Sequence, residues 1–224
     1  MNFVCVYWGN KYSTDYVQKL YNMVERNLTI PHKFVCFTDN IRLHKIVTGD
    51  IDYRPFVTND EQHWWNKMGL YSKDSGLEGP CLYMDLDVVI LDNIDEMATF
   101  GNEMTFGVIN DFNGNTQMFN SSIVKFNTDI TDRAIWQEYY HDRPNWRRQQ
   151  GDQNVMSMLM LKHPNTEIMP DRWTYSAKWH DRKAPRFHKS DWKFERKPEA
   201  KVAVFHGQPN PHECEQIWVK NAWF

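Results

Sequence analysis

The chain has 224 residues, 41% of them hydrophobic and 25% charged, with a formal net charge of −3. That is enough apolar material for one sizeable core, and this near-neutral balance gives no reason to expect nucleic acid as a partner. No basic leader opens the chain, and the apolar run at residues 3–8 is too short for a signal peptide or a membrane span, so a cytoplasmic protein is expected.

In chain order, Phe3-Val4-Cys5-Val6-Tyr7-Trp8 reads as a short strand closed by Gly9-Asn10. Ser13-Thr14-Asp15 can cap a helix carrying Val17, Leu20, Tyr21, Val24 and Leu28 at its apolar positions. A second strand over residues 33–37 ends in Thr38-Asp39-Asn40, and a third, opened by Pro80, covers residues 81–84. Further strands are expected at 104–109 and 121–126, with helices near 60–72, 133–140 and 152–162. Runs that are apolar on both faces predict a mixed α/β fold, a mainly parallel sheet flanked by helices with antiparallel additions toward the C-terminus. Cys5, Cys36 and Cys81 fall inside strand-like runs and Cys214 lies near the end, without Cys-x-x-Cys spacing, so all four read as reduced thiols.

The third strand ends in Tyr83-Met84-Asp85-Leu86-Asp87, two carboxylates one residue apart in an otherwise apolar run. Burying unpaired charge there costs several kcal/mol. In an extended chain, side chains at i and i+2 point the same way, so both carboxylates can face one hard cation, Mn²⁺ or Mg²⁺, which also accepts phosphate oxygens from a substrate. A strand-end turn is the plain alternative. Asp50-Ile51-Asp52 has the same spacing beside Gly49, with no apolar strand around it, and reads as a solvated loop.

Polar groups recur at the carboxyl ends of these strands: Tyr7 and Trp8, Thr38 and Asp39, Asp85 and Asp87, and His206 after Val202-Ala203-Val204-Phe205. In open α/β sheets ligands bind along that edge. A nucleotide suits the set, with Tyr7, Trp8 or Tyr12 stacking on a base and Asp39 accepting from base or ribose. Tyr7 fits a core role equally well, and Asp39 an Asx-turn. Beyond His206, Gly207-Gln208-Pro209-Asn210-Pro211 is a loop whose backbone N–H groups at Gly207, Gln208 and Asn210 can approach phosphate oxygens.

With these segments in hand, the chain resembles the GT-A-fold glycosyltransferases, in particular the family-8-like retaining enzymes that use nucleotide-sugar donors. Asp85-Leu86-Asp87 looks like that family's metal-binding motif, and Phe119-Asn120-Ser121-Ser122 is similar to its strand bordering the donor sugar. Gly151-Asp152-Gln153 looks like its Asp-Gln at a helix start, and the segment from Phe205 to Pro211 like its histidine loop. The resemblance implies one Rossmann-like domain, with residues 1–92 as the nucleotide and metal half and 93–224 as the sugar and acceptor half. It implies Asp85, Asp87 and His206 as metal ligands, Asp152, Gln153 and Asn120 at the sugar, and Tyr7, Trp8, Tyr12, Thr38, Asp39, Gly207 and Asn210 on the nucleotide. Two departures stand out. Asn210 replaces the usual loop lysine, which makes Lys67 the candidate for positive charge on the diphosphate, its alternative being a surface lysine on an amphipathic helix. Ser122 stands where glycine is common.

The implied reaction is metal-dependent transfer of a sugar from a UDP-sugar to an acceptor hydroxyl with retention. A nucleotidyltransferase is disfavoured by the single glycine in Trp8-Gly9-Asn10-Lys11-Tyr12, and a non-catalytic sugar-binding protein is the remaining alternative. The acceptor is expected on residues 173–201, where Trp179, His180, Arg182 and Lys183 suit an anionic acceptor or a mobile lid. Residues 182–201 are basic and read first as a solvated loop. The oligomeric state has no signature in the sequence.

Overall fold

The computed structural model describes residues 1–40, 42–59, 61, 63–178 and 195–224. The acceptor expectation at Trp179, His180, Arg182 and Lys183, and the start of the helix expected from residue 60, lie outside the described residues.

The described strands, in chain order, are β1 (Asn2–Tyr7), β2 (Lys33–Thr38), β3 (Ile51–Arg54), β4 (Cys81–Met84), β5 (Val88–Ile90), β6 (Phe106–Asn110), β7 (Phe119–Phe126), β8 (Thr166–Ile168), β9 (Thr174–Ser176) and β10 (Val202–Val204). Seven form one sheet in the order β3-β2-β1-β4-β7-β6-β8, and β5-β10-β9 form a second. In the large sheet β7 alone runs against its neighbours β4 and β6, and every other pairing is parallel. The antiparallel pairings, β7 in the large sheet and β10 on β5 in the second, are made by strands of the later part of the chain, as expected.

Alternation along the strands builds two cores. Phe3, Cys5 and Tyr7 of β1 and Leu82 and Met84 of β4 pack with Tyr16, Val17, Leu20, Met23 and Val24 of α1 (Asp15–Asn27) and with β10. Val4, Val6, Cys81 and Tyr83 face the other side, against Trp65, Met68, Leu70 and Tyr71 and against Val155, Met156 and Met160 of the helix Asp152–Met160. Sheet and helices thus form layers, which is how an apolar strand with two buried faces is satisfied. The four cysteines are buried and free.

Three local expectations change. Asp50-Ile51-Asp52 is not a loop throughout: Ile51–Arg54 is an edge strand parallel to β2, half-exposed, with Arg54 Nη2 2.7 Å from Asp52 Oδ2. Half-burial at an edge needs no apolar run, so the sequence carried no strand signal there. Thr14 makes no side-chain cap on α1 and already has helical dihedrals. The segment expected as an amphipathic helix near residue 67 is the 3₁₀ helix His63–Tyr71, whose residues Trp65 to Tyr71 are all buried.

Candidate active site

The carboxyl ends of β1, β2, β4 and β6 and the start of β7 share one sheet edge, because β6 runs parallel to β4 across the antiparallel β7. Asp85, Leu86 and Asp87 lie in the short connection between β4 and β5, Leu86 and Asp87 forming a turn. Both carboxylates line the same cavity. They converge through that turn and not through strand alternation, so the strand-end alternative describes the backbone correctly while the shared cavity survives.

The cavity is also lined by Trp8, Lys11, Tyr12, Trp64, Lys67, Tyr83, Ser121 and Asp152. Its volume is about 150 Å³, below the roughly 300 Å³ at which ligand cavities begin. Neighbouring side chains are already seated on both carboxylates. Tyr12 donates its hydroxyl to Asp87 Oδ2 at 2.9 Å, and Tyr83 donates to Asp85 Oδ1 at 2.5 Å. Burial first, and then the neighbouring Asp85 charge, push the Asp87 carboxyl up to about 7, while Lys11 and the Tyr12 hydrogen bond pull the other way.

Lys67 is the buried cation of the site. Its ammonium lies 3.3 Å from Asp85 Oδ1 and 3.3 Å from Asp152 Oδ2, donates to the Ser121 carbonyl at 2.5 Å, and stands 4.4 Å from the Tyr83 ring centroid. Burial pulls its pKa down, and Asp152 and Asp85 together more than offset this, leaving it raised. It is therefore a buried ammonium between two carboxylates, and the surface-lysine alternative is excluded.

Asp152 is the first residue of its helix and not its N-cap, which is Gly151. Its carboxylate accepts from Ser121 Oγ at 3.0 Å. Gln153 Oε1 lies 3.3 Å from both Asn120 Nδ2 and the Ser121 N–H. Asn120, Asp152 and Gln153 are thus brought together, with Ser121, of the Phe119-Asn120-Ser121-Ser122 segment, as the link between them.

The nucleotide candidates separate. Trp8 and Tyr12 line the cavity, and Tyr12 stacks on Tyr16 with centroids 4.4 Å apart. Tyr7 is buried and donates its hydroxyl to the Tyr12 carbonyl at 3.2 Å, supporting that residue from the core. Thr38 is buried and accepts from Asn40 N–H at 3.0 Å, so the turn is made by Thr38, while exposed Asp39 accepts from the Gly9 N–H at 3.1 Å and ties the first two strand-end loops together. Asn210 donates its N–H to Glu213 Oε2 at 2.7 Å, so that amide is engaged and not open to phosphate as the loop reading required. Gly207 adopts φ +67°, a conformation that suits glycine.

His206 follows β10, which pairs with β5, and the Phe205 N–H donates to the Asp87 carbonyl at 2.9 Å. Its Nε2 shares a 2.7 Å hydrogen bond with Ser176 Oγ, and its ring stacks on Phe112. Burial, with Lys178 second, pulls the imidazole down to about 4, so it is neutral at physiological pH. Among the described residues no three His, Cys, Asp or Glu side chains converge as a ready-made metal site.

Two residues that line this cavity, Lys11 and Trp64, and a third outside it, Asp111, were not singled out in the sequence reading. Lys11 sits in the polar stretch after β1, and Trp64 is the second residue of the 3₁₀ helix His63–Tyr71, which has no clean period. Asp111 follows β6 as Asp85 follows β4, and the same strand-end rule would have found it. It accepts from the Asn113 N–H at 2.8 Å and lies 3.4 Å from Gln153 Nε2.

No protein-family model and no curated protein matches the sequence. Among solved structures the chain is similar to galactosyltransferase LgtC in complex with donor and acceptor sugar analogs, at 14% identity and TM-score 0.69, covering 99% of this chain and 93% of that one. It is similar to glycosyltransferase GlyE of Streptococcus pneumoniae TIGR4 at 13% identity and TM-score 0.70, covering 100% of this chain and 61% of GlyE. The bifunctional glycosyltransferase WbbM aligns at 11% identity and TM-score 0.62 over 94% of this chain, which spans 46% of that protein. The fold is GT-A, a Rossmann-like mixed α/β architecture. Among the described residues no helix is long and apolar enough to cross a membrane.

Proposed function

We propose that the protein is a metal-dependent glycosyltransferase that moves a sugar from a nucleoside diphosphate, UDP by the resemblance noted in the sequence, onto an acceptor hydroxyl. The observation that carries this reading is the convergence of Asp85, Asp87, Lys67 and Asp152 on one cavity at the ligand-binding edge of a GT-A sheet. The LgtC likeness, recorded with donor and acceptor sugar analogs, supports it.

The two carboxylates are the hard oxygen donors that a divalent cation takes, and His206 lies outside the lining of their cavity. Asp85 and Asp87 offer carboxylate oxygens from one wall, and His206, neutral and one residue past the Phe205 amide bonded to Asp87, is in the protonation state a ligand needs. Mn²⁺ or Mg²⁺ held there would offset the negative charge that develops on the departing diphosphate.

The chain's own groups do the rest. Trp8 and Tyr12 offer aromatic faces for a base, with Tyr12 braced by Tyr16. Lys67 adds positive charge beside the carboxylates and fixes Asp152 against Ser121. As the bond from the anomeric carbon to the phosphate oxygen breaks, its electron pair leaves with the diphosphate and the sugar becomes oxocarbenium-like. Asp152 and the Gln153 amide provide fixed negative charge and dipole beside that carbon. The acceptor oxygen then bonds the anomeric carbon, and its proton passes to the released diphosphate. With attack on the leaving-group face, configuration is retained and no separate base is needed.

The test is a donor screen: Mn²⁺-dependent hydrolysis of each common nucleotide sugar, read by release of nucleoside diphosphate. Release of inorganic diphosphate from a nucleoside triphosphate and a sugar phosphate would instead identify a nucleotidyltransferase. Absence of uptake and turnover of every donor rejects the proposal.

A further inference from the structure

The cavity between Asp85 and Asp152 is lined by two lysines in unlike circumstances. Lys67 is buried, and its ammonium is committed to Asp85 Oδ1 at 3.3 Å, Asp152 Oδ2 at 3.3 Å and the Ser121 carbonyl at 2.5 Å, which uses all three of its N–H bonds. Drawing it toward a ligand would leave two carboxylates uncompensated. Lys11, in the loop after β1, is exposed and lines the same cavity. Among the described residues its ammonium forms no ion pair and stands over the Tyr12 ring, 4.6 Å from the centroid.

That position matters because Tyr12 is itself fixed. Its hydroxyl donates to Asp87 Oδ2 at 2.9 Å, and the Tyr16 ring stacks on it with centroids 4.4 Å apart. Tyr16 is 2% exposed and does not line the cavity, so it covers Tyr12 from the core. The face that Tyr12 turns to the cavity is then the one over which Lys11 stands. A base that stacks on Tyr12 needs that face. Lys11 can yield it, since a flexible four-carbon stem lets the ammonium swing without moving the backbone. The contact it gives up is worth only about two- to fivefold in affinity at an exposed position.

Charge sets where the ammonium goes. A nucleoside diphosphate brings further negative charge toward Asp85, Asp87 and Asp152, and Lys11 is the lining lysine not already committed to a carboxylate. Its charge already acts there: burial and Asp85 push the Asp87 carboxyl up, and Lys11 leads the groups that pull it back. Lys178, near the loop after β10, is buried and donates to the His206 carbonyl at 2.5 Å, so it is engaged elsewhere.

We propose that Lys11 couples the two halves of nucleotide binding, an inference that rests on the glycosyltransferase reading above. Lys11 covers the stacking face of Tyr12 until a base takes that face, and then passes to the diphosphate. A bare nucleoside must displace the ammonium and offers it nothing in return. A nucleoside diphosphate offers it an ion pair. One side chain thereby selects for the phosphorylated ligand, while Lys67 keeps Asp85 and Asp152 together.

The test is binding to the full chain in the presence of Mg²⁺, by calorimetry for UDP, CDP, ADP and GDP and by ligand-observed NMR for the corresponding bare nucleosides. Native protein and Lys11→Ala are compared for the diphosphate bound most tightly and for its own nucleoside. The substitution is exposed and should leave unfolding as it is. It is expected to weaken the diphosphate about tenfold or more, the loss of one charge-assisted hydrogen bond, and to tighten the nucleoside about two- to fivefold. Lys11→Arg, which keeps the charge, should restore most of the diphosphate affinity. A smaller loss with the diphosphate, or a nucleoside affinity that stays level or falls, overturns the coupling. A parallel fall in both would mean that Lys11 only holds its loop in place. Failure of the transferase reading looks different: the native chain then takes up none of the diphosphates and hydrolyses no nucleotide sugar.

Discussion

The Lys67 ammonium stands 3.3 Å from the Asp152 carboxylate, joining the 3₁₀ helix His63–Tyr71 to the start of the helix Asp152–Met160 across 85 positions of sequence. The same ammonium reaches Asp85 at 3.3 Å, so one buried cation holds together the strand-end carboxylate and the carboxylate expected beside the sugar.

Removing that cation leaves two carboxylates facing each other without compensation. Lys67→Met is expected to cost about 3 kcal/mol of stability, the usual penalty for breaking one side of a buried charged pair. Urea denaturation measures it. A loss below about 0.5 kcal/mol, typical of exposed pairs, would mean that the bridge is not formed in solution.

Asp87→Asn keeps the size of the side chain and removes its charge. The variant is expected to fold and to lose Mn²⁺-dependent donor turnover by a factor of about 100 or more, equivalent to roughly 3 kcal/mol of transition-state stabilisation. Full activity at saturating metal would refute the role given to Asp87.

The same substitution has a pH signature. Asp87 is held up to about 7 from an ordinary 3.8, chiefly by burial. Between those values the native state keeps a proton that the unfolded chain has released, so stability falls as pH rises from about 4 to about 7 and is level beyond. Without divalent cation Asp87→Asn should therefore match the native chain near pH 4 and be the more stable of the two at pH 8. Denaturation curves at the two pH values decide it, and a gap that does not widen with pH contradicts the burial of this charge.

Glu61 anchors the segment leading into the 3₁₀ helix. Its carboxylate lies 2.7 Å from Arg147 Nη2, 3.4 Å from Arg143 Nη1, and accepts from the Tyr139 hydroxyl at 2.7 Å. Glu61→Ala is expected to cost about 2 kcal/mol, less than a fully buried pair would, since both arginines keep some contact with water. Tyr139→Phe should cost about 1 kcal/mol, one hydrogen bond. Thermal or urea unfolding of the two variants checks the order, and the reverse order would place the energy in the tyrosine.

Sequence alone determined the strands that carry the site and the residues at their ends. β1, β2, β4 and β10 are short, doubly buried runs whose apolar pattern is local, and Asp85, Asp87, Asp152 and His206 follow them or open a helix, positions that a one-dimensional pattern records. What the tertiary structure decided is which of these groups touch. Lys67 lies on a 3₁₀ helix whose buried residues have no 3.6-residue period, and its two partners are 18 and 85 positions away, so no window of sequence contains the bridge. Tyr12 reaches Asp87, and Asp39 reaches the Gly9 amide, only because parallel strands bring successive loops to a common edge. A cavity lined by Trp64, Asp111 and Gln150 belongs to the same class, since these residues meet through chain crossings, and proximity between distant residues is a property of topology that local propensity does not encode.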